Sequence, residues 1–223
     1  SLPTFDYDLR RANGVAGGNP DLQSEQADTT TVGLVFTRAP QGRRARELQV
    51  SFDWYRIEIE DGIGRWDAKS AVERCFDPQY NPTFDASNVY CSFFTREATT
   101  GFIFANILDR NIGGLQTSGV DAQLDWGYGI APGFIGINAL VSYVDTWQYL
   151  DPSGGTIEYA GTVGGGGLGR SLPRVKSLLN LSFNANSGWN VLARWRHVGS
   201  ASDVVYRDFD VPAVDYIDLG GSY

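Results

Sequence analysis

Three carboxylates crowd into four residues at Glu58, Glu60 and Asp61. Carboxylates in pairs do glycosidase work, one as acid and the other as nucleophile or base. Glu58 and Glu60 fall on one face of a strand, but no second motif accompanies them. They read as a solvated face, with a lesser claim to cation or substrate contact. Gly164-Gly165-Gly166-Gly167-Leu168-Gly169-Arg170-Ser171 comes near a phosphate-cradling loop, and its glycines also fit G-x-G-x-x-G. That chemistry needs a strand before and a helix after, so that amides can hold the phosphate. Pro173 and an alternating stretch follow instead, and Arg170 stands where lysine belongs, so the run reads as a loop. The single histidine, His197, lies inside an alternating run, and there is no Gly-x-Ser-x-Gly. The chain is read as no enzyme, with no catalytic, cofactor or metal site.

Cys75 and Cys91 are the only cysteines, and they bracket a stretch rich in turn residues: Pro78, Asn81-Pro82 and Asp85. Their spacing suits no C-x-x-C redox or metal site. A disulfide closing this loop is the first reading and implies an oxidising compartment; two free buried thiols are the alternative. The one basic cluster, Arg43-Arg44-Ala45-Arg46, reads as a solvated turn. With a formal charge of −8, nucleic acid is not a partner.

What must position these groups is a set of strands. Aromatic residues make up 13% of the 223 residues, there are 27 glycines and no methionine, a composition that favours strands and turns. Val120, Leu124 and Trp126 alternate with Asp121, Gln123 and Asp125. Beyond Ala131-Pro132-Gly133, Ile135, Ile137, Ala139, Val141 and Tyr143 fall on one face and Asn138 and Ser142 on the other. Period two sends each set to its own side of a sheet. The uncharged run from Trp126 to Val144 holds too many Gly and Pro for a membrane helix.

The alternation recurs about seven times: residues 25–37, 48–60, 102–126 with a possible break at Gly113-Gly114, 134–149, 173–185, 189–198, and a last strand holding Ile217, Leu219 and Tyr223. In the second run the phase slips at Tyr55-Arg56, which suggests a bulge. Residues 1–24 read as irregular, and 61–100 as a long polar loop. Short connections near 40, 130 and 187 alternate with long ones near 80, 160 and 205. An up-and-down meander gathers the short turns at one end and the long loops at the other, as outer-membrane barrels do. Trp126, Tyr128 and Trp189 lie near short turns, and Tyr143, Trp147 and Tyr149 toward a long loop, as interfacial girdles would. The fold class is therefore all-β, an antiparallel up-and-down transmembrane β-barrel segment. The competing reading is a β-sandwich, functionally a secreted glycan-binding module with exposed Trp and Tyr.

Gly18-Asn19-Pro20-Asp21-Leu22-Gln23-Ser24-Glu25 resembles a recurrent segment of TonB-dependent outer-membrane receptors, with Ser24 where Pro is common. Phe52-Asp53-Trp54-Tyr55-Arg56-Ile57-Glu58-Ile59 resembles the family's strand rising to a large external loop. Asn106 with Gly119-Val120-Asp121, Leu172-Pro173-Arg174, and Val214-Asp215-Tyr216-Ile217-Asp218-Leu219 resemble later strands. The resemblance spans residues 1–223 as a single barrel region. It implies a bacterial outer-membrane location, a parent of roughly 22 strands with a plugged lumen, and energy-coupled uptake of a nutrient such as an iron chelate (a siderophore), cobalamin or an oligosaccharide. The plug and the energy-coupling segment are not visible, and about seven strands are too few to close, so the chain reads as a fragment that does not transport alone. The implied partners are outer-membrane lipid, the remainder of the barrel and its plug, the TonB complex acting through that plug, and an unidentified small nutrient. Glu60, Asp61, Trp66, Tyr80, Tyr90, Trp147, Tyr149 and Tyr206 are the expected ligand-facing loop residues.

Overall fold

The computed structural model describes residues 13–38, 42, 47–66, 68–96, 99, 103–151, 155–163, 172–203 and 209–223. Arg43, Arg44, Arg46, the glycine run 164–169 with Arg170 and Ser171, and Tyr206 lie outside the described residues. The chain divides into two compact units, Ser1–Gln26 with Ile59–Gly114 and Leu150–Ile157, and Ala27–Glu58 with Leu115–Tyr149 and Glu158–Tyr223.

Seven long strands form one meander: β1 (Gln26–Arg38), β2 (Leu48–Glu60), β3 (Gly114–Ile130), β4 (Gly133–Leu150), β5 (Val175–Ala185), β6 (Asn190–Val198) and β7 (Val214–Ser222). Their order in the sheet is their order in sequence, and Thr156–Glu158 adds a short eighth strand beside β4. The sheet is open: β1 and β7 end it and do not pair with each other. Register is set by the pattern, since a slip of one residue would turn every side chain to the wrong face. Ile137, Leu181, Ala193 and Leu219 lie side by side across β4 to β7, and so do Asn138, Asn180, Arg194 and Asp218.

The apolar row is uncovered. Leu181, Val191, Trp195, Ile217 and Leu219 are all exposed, Leu219 at 78%, as are Val32, Leu34 and Phe36 of β1. A sandwich would press such a row against a second sheet. No described element covers this face, so the sandwich reading falls. Aromatic pairs mark the short-turn end: Trp126 stacks on Tyr128 with centroids 5.9 Å apart, and Trp189 meets Tyr223 at 4.9 Å. From Phe134 at this end to the exposed Tyr143 is nine residues of β4. At ~3.3 Å per residue and a tilt of about 35–45°, they span roughly 21–24 Å, close to the apolar band of a membrane barrel.

The unit formed around residues 59–114 departs from the sequence reading. Residues 61–100 are not a plain loop: they carry helix α1 (Ala68–Cys75) and a 3-10 turn at Cys91–Phe93. Ala, Lys, Glu and Arg favour a helix, Lys69 and Glu73 pair one turn apart at 3.6 Å, and Ala71, Val72 and Cys75 are buried. Nor are residues 1–24 wholly irregular. Asn13–Gly17 is a strand, paired parallel with Ile103–Leu108 (Val15 opposite Asn106), which pairs antiparallel with Phe94–Arg96. The expected third strand is split accordingly. Ile103–Leu108 and Arg110–Asn111 belong to this unit, and β3 begins only at Gly114. The break falls where Gly113 takes a φ of +123°, a conformation that favours glycine, and accepts the Gly62 amide at 2.7 Å.

Candidate functional site

The unit formed around residues 59–114 has a built interior. Cys75 and Cys91 are disulfide-bonded, their Cα atoms 4.9 Å apart. Buried Asn81 organises the segment between them: its Nδ2 donates to the carbonyls of Cys75 (2.9 Å) and Asp85 (3.1 Å), and its Oδ1 accepts the Asp85 amide. Asp77, Asp85 and Asn88 each accept the amide two residues on, the local turns such residues favour. Those bonds from Ser87 also hold the Asp85 carboxyl below its ordinary pKa.

Arg74, in the last turn of α1, lies at the centre. Its guanidinium sits 4.0 Å from the Trp66 ring, 4.4 Å from Tyr80 and 5.4 Å from Tyr90. It donates to the Tyr90 hydroxyl at 3.1 Å and to Asp151 Oδ2 at 2.5 Å. The Tyr90 hydroxyl donates to the same Asp151 oxygen. Burial, then the bond to Asp151 and its charge, raise the pKa of Tyr90 well above the ordinary 10.0. A carboxylate with a wholly buried side chain thus meets a cation and a phenol, the condition under which a buried charge is tolerated.

A second tie explains the segment that ends in Glu25. Glu25 Oε2 accepts the Ile63 amide at 3.0 Å. Asn111 mimics a strand toward Gln23, accepting its amide at 2.9 Å and donating to its carbonyl at 3.0 Å, and also reaches the Asp61 carbonyl at 2.6 Å. In the other unit Arg174 has a comparable task, with its guanidinium bound to the carbonyls of Val144 and Asp145.

The expected ligand-facing residues do not share one environment. Glu60 and Asp61 are exposed, and Asp61 adopts a φ of +53°. Tyr80 is half-buried against Arg74. Trp66 and Tyr90 are buried in the unit around residues 59–114, 3% and 0% exposed, because their rings pack around the Arg74 cation. Tyr149 is buried at 1%. Trp147 is half-buried; its amide donates to Glu158 Oε1 at 3.0 Å, and its indole Nε1 has no hydrogen-bond partner among the described residues. Tyr206 lies outside the described residues. Arg74 and Asp151, the pair that organises the unit, were not visible in the sequence pattern.

On the polar face of the sheet, hydrogen bonds run from strand to strand. Gln123 and Asn138 donate to Asp125 at 2.6 and 2.7 Å, Asn180 to Asn138 at 3.0 Å, and Arg194 to Asn180 at 2.8 Å. Arg196 meets Asp218 at 3.1 Å. Beside this line is an open hollow of about 650 Å³ lined by Glu47, Asp125, Phe134, Asn138, Asn180 and Ser182 among others. The groups that could do chemistry are differently engaged. Glu58 is ion-paired with Arg56, which weakens the carboxylate-pair reading. Ser177, His197 and Asp215 stand opposite one another on β5, β6 and β7, with His197 Nδ1 2.9 Å from Asp215 Oδ1. Asp215 also accepts the Trp195 indole at 2.8 Å. Among the described residues Ser177 and His197 share no side-chain hydrogen bond, and the ladder occupies the strand amides that an oxyanion hole would need. The row reads as polar packing at the edge of the apolar face.

The family described as TonB dependent receptor-like, beta-barrel matches residues 2–223. No curated protein matches the chain. Among solved structures, the outer membrane transporter YddB from Escherichia coli is similar over 94% of this chain and 27% of its own, with 13% identity and a TM-score of 0.48. The chain thus spans about a quarter of that transporter's length.

Proposed function

The chain belongs to the TonB dependent receptor-like, β-barrel family, and from that premise we propose that it supplies wall strands and outer loops to a receptor that imports a scarce nutrient across the bacterial outer membrane. One observation carries the reading. A single sheet leaves its apolar face uncovered while its polar face is tied together by a line of hydrogen bonds from Gln123 to Arg194. Lipid on one side and a wet lumen on the other account for both faces. In this reading the remainder of the barrel and a plug face the polar wall, and the inner-membrane TonB complex moves that plug. Iron chelates, cobalamin and oligosaccharides are the candidate nutrient classes. Glu60, Asp61, Tyr80, Trp147 and Tyr206 are the positions proposed to meet the nutrient, while Trp66 and Tyr90 support Tyr80 through the Arg74 cation.

The test is uptake by cells that carry or lack the receptor, each with and without a working TonB complex, using labelled members of the three nutrient classes. Saturable uptake that disappears on loss of either component is the expected result. Receptor-dependent uptake that persists without TonB would overturn the energy-coupled reading.

A further inference from the structure

We propose that the Cys75–Cys91 disulfide sets a carboxylate clamp, in which Arg74 and Tyr90 together hold Asp151, and that a dithiol opens it. The proposal stands on the unit around residues 59–114 alone and does not depend on which nutrient is carried. The residues immediately before the two cysteines are the two donors. Arg74 precedes Cys75, Tyr90 precedes Cys91, and both donate to one oxygen, Asp151 Oδ2. The cross-link therefore fixes the distance between two side chains whose joint target lies far along the chain, where β4 gives way to the next long connection. Without the link, α1 and the 3-10 turn are joined by a stretch of turns, and the donors no longer hold a common register.

The clamp has few intermediate positions. The Arg74 side chain is 14% exposed and that of Asp151 0%. Arg74 is further held by Trp66 and Tyr80, whose faces attract a guanidinium. Because the carboxylate is wholly buried, withdrawing either donor from it is costly. Cys91 is the more exposed sulfur carrier, whereas Cys75 is buried. A dithiol thiolate attacks Cys91 Sγ, Cys75 leaves as a thiolate and takes up a proton, and the second thiol of the reagent displaces Cys91. Two electrons pass to the protein, two cysteine thiols result, and the reagent becomes its own disulfide.

Hydrogen–deuterium exchange by mass spectrometry on the whole protein in detergent micelles tests this. Peptides covering 68–75 and 150–157 report the two sides of the clamp, and β5 and β6 serve as the reference. Dithiothreitol followed by alkylation should accelerate exchange in both segments together, by about tenfold, with β5 and β6 unchanged. Arg74→Ala should accelerate 150–157 without reduction, and guanidinium well below denaturing concentration should restore protection by refilling the cage. Arg74→Lys keeps the charge without the planar fork and should fall between wild type and Arg74→Ala. Unchanged exchange at 150–157 after reduction, or an Arg74→Ala protein indifferent to guanidinium, overturns the clamp.

Discussion

One oxygen of Asp151 takes hydrogen bonds from side chains 77 and 61 residues away in sequence. Bonds to a charged acceptor are worth about 1.5–3 kcal/mol when one donor is removed, so Tyr90→Phe should destabilise the unit around residues 59–114 by roughly that amount at neutral pH. The variant also has a pH signature. Tyr90 has a raised pKa in the folded protein, so the fold keeps a proton that an unfolded chain releases near the ordinary value of 10.0. The stability this supplies is complete below pH 10 and drains away as the pH climbs through the folded-state pKa. Chemical denaturation of wild type and Tyr90→Phe across this range should therefore show the gap between them shrinking above pH 10; a constant gap would remove the proposed linkage. None of this was legible from the sequence. An aromatic in a polar stretch looks the same whether it meets a ligand or packs on a cation, so Trp66, Tyr90 and Tyr149 were placed outward. The pairing of Arg74 with Asp151 is a product of tertiary structure and leaves no local pattern.

Strands were the easiest elements to read. Period two and cross-strand facing are local consequences of the pleat, and β2, β4, β5 and β6 begin and end within two residues of where alternation placed them. α1 was missed for a physical reason. Eight residues make barely two turns, too short for a 3.6-residue period to stand out, and turn-forming residues follow directly. The third strand is overextended in the sequence reading because Ile103–Leu108 is an apolar, strand-favouring run that leads toward β3, although its partners are Asn13–Gly17 and Phe94–Arg96. The face assignment makes a sharp prediction. Leu181 is exposed in the apolar row beside Ile137 and Ala193, so Leu181→Arg should cost about 2–4 kcal/mol if it sits near the membrane midplane. Equilibrium unfolding in lipid vesicles measures this. A Leu181→Arg protein as stable as wild type there would reverse the two faces.

For the whole molecule, the chemistry is that of a wall rather than of a pocket. Apolar side chains cover one face of an open sheet, while Trp66, Tyr90, Phe93 and Ile112 are buried within the unit formed around residues 59–114. Exposed apolar area on the scale of the sheet's outer face does not persist in water. The protein should stay dispersed in detergent and associate when detergent is removed, as light scattering or sedimentation would show. A monodisperse monomer without detergent would contradict the lipid-facing assignment.

The pairing of Asn13–Gly17 with Ile103–Leu108 constrains the order of assembly. A nascent chain can zip β1 against β2 as soon as both have emerged, because neighbouring strands close short loops. The unit around residues 59–114 has no such shortcut. Its first strand must wait for a partner on the far side of β1 and β2, and Arg74 must wait until β3 and β4 have been made, since Asp151 follows them. Contacts of such long sequence separation form late and slowly. Closure of the clamp is therefore expected late in the folding of this unit, and a chain halted before Asp151 would have its helix and both cysteines with the guanidinium still lacking that carboxylate.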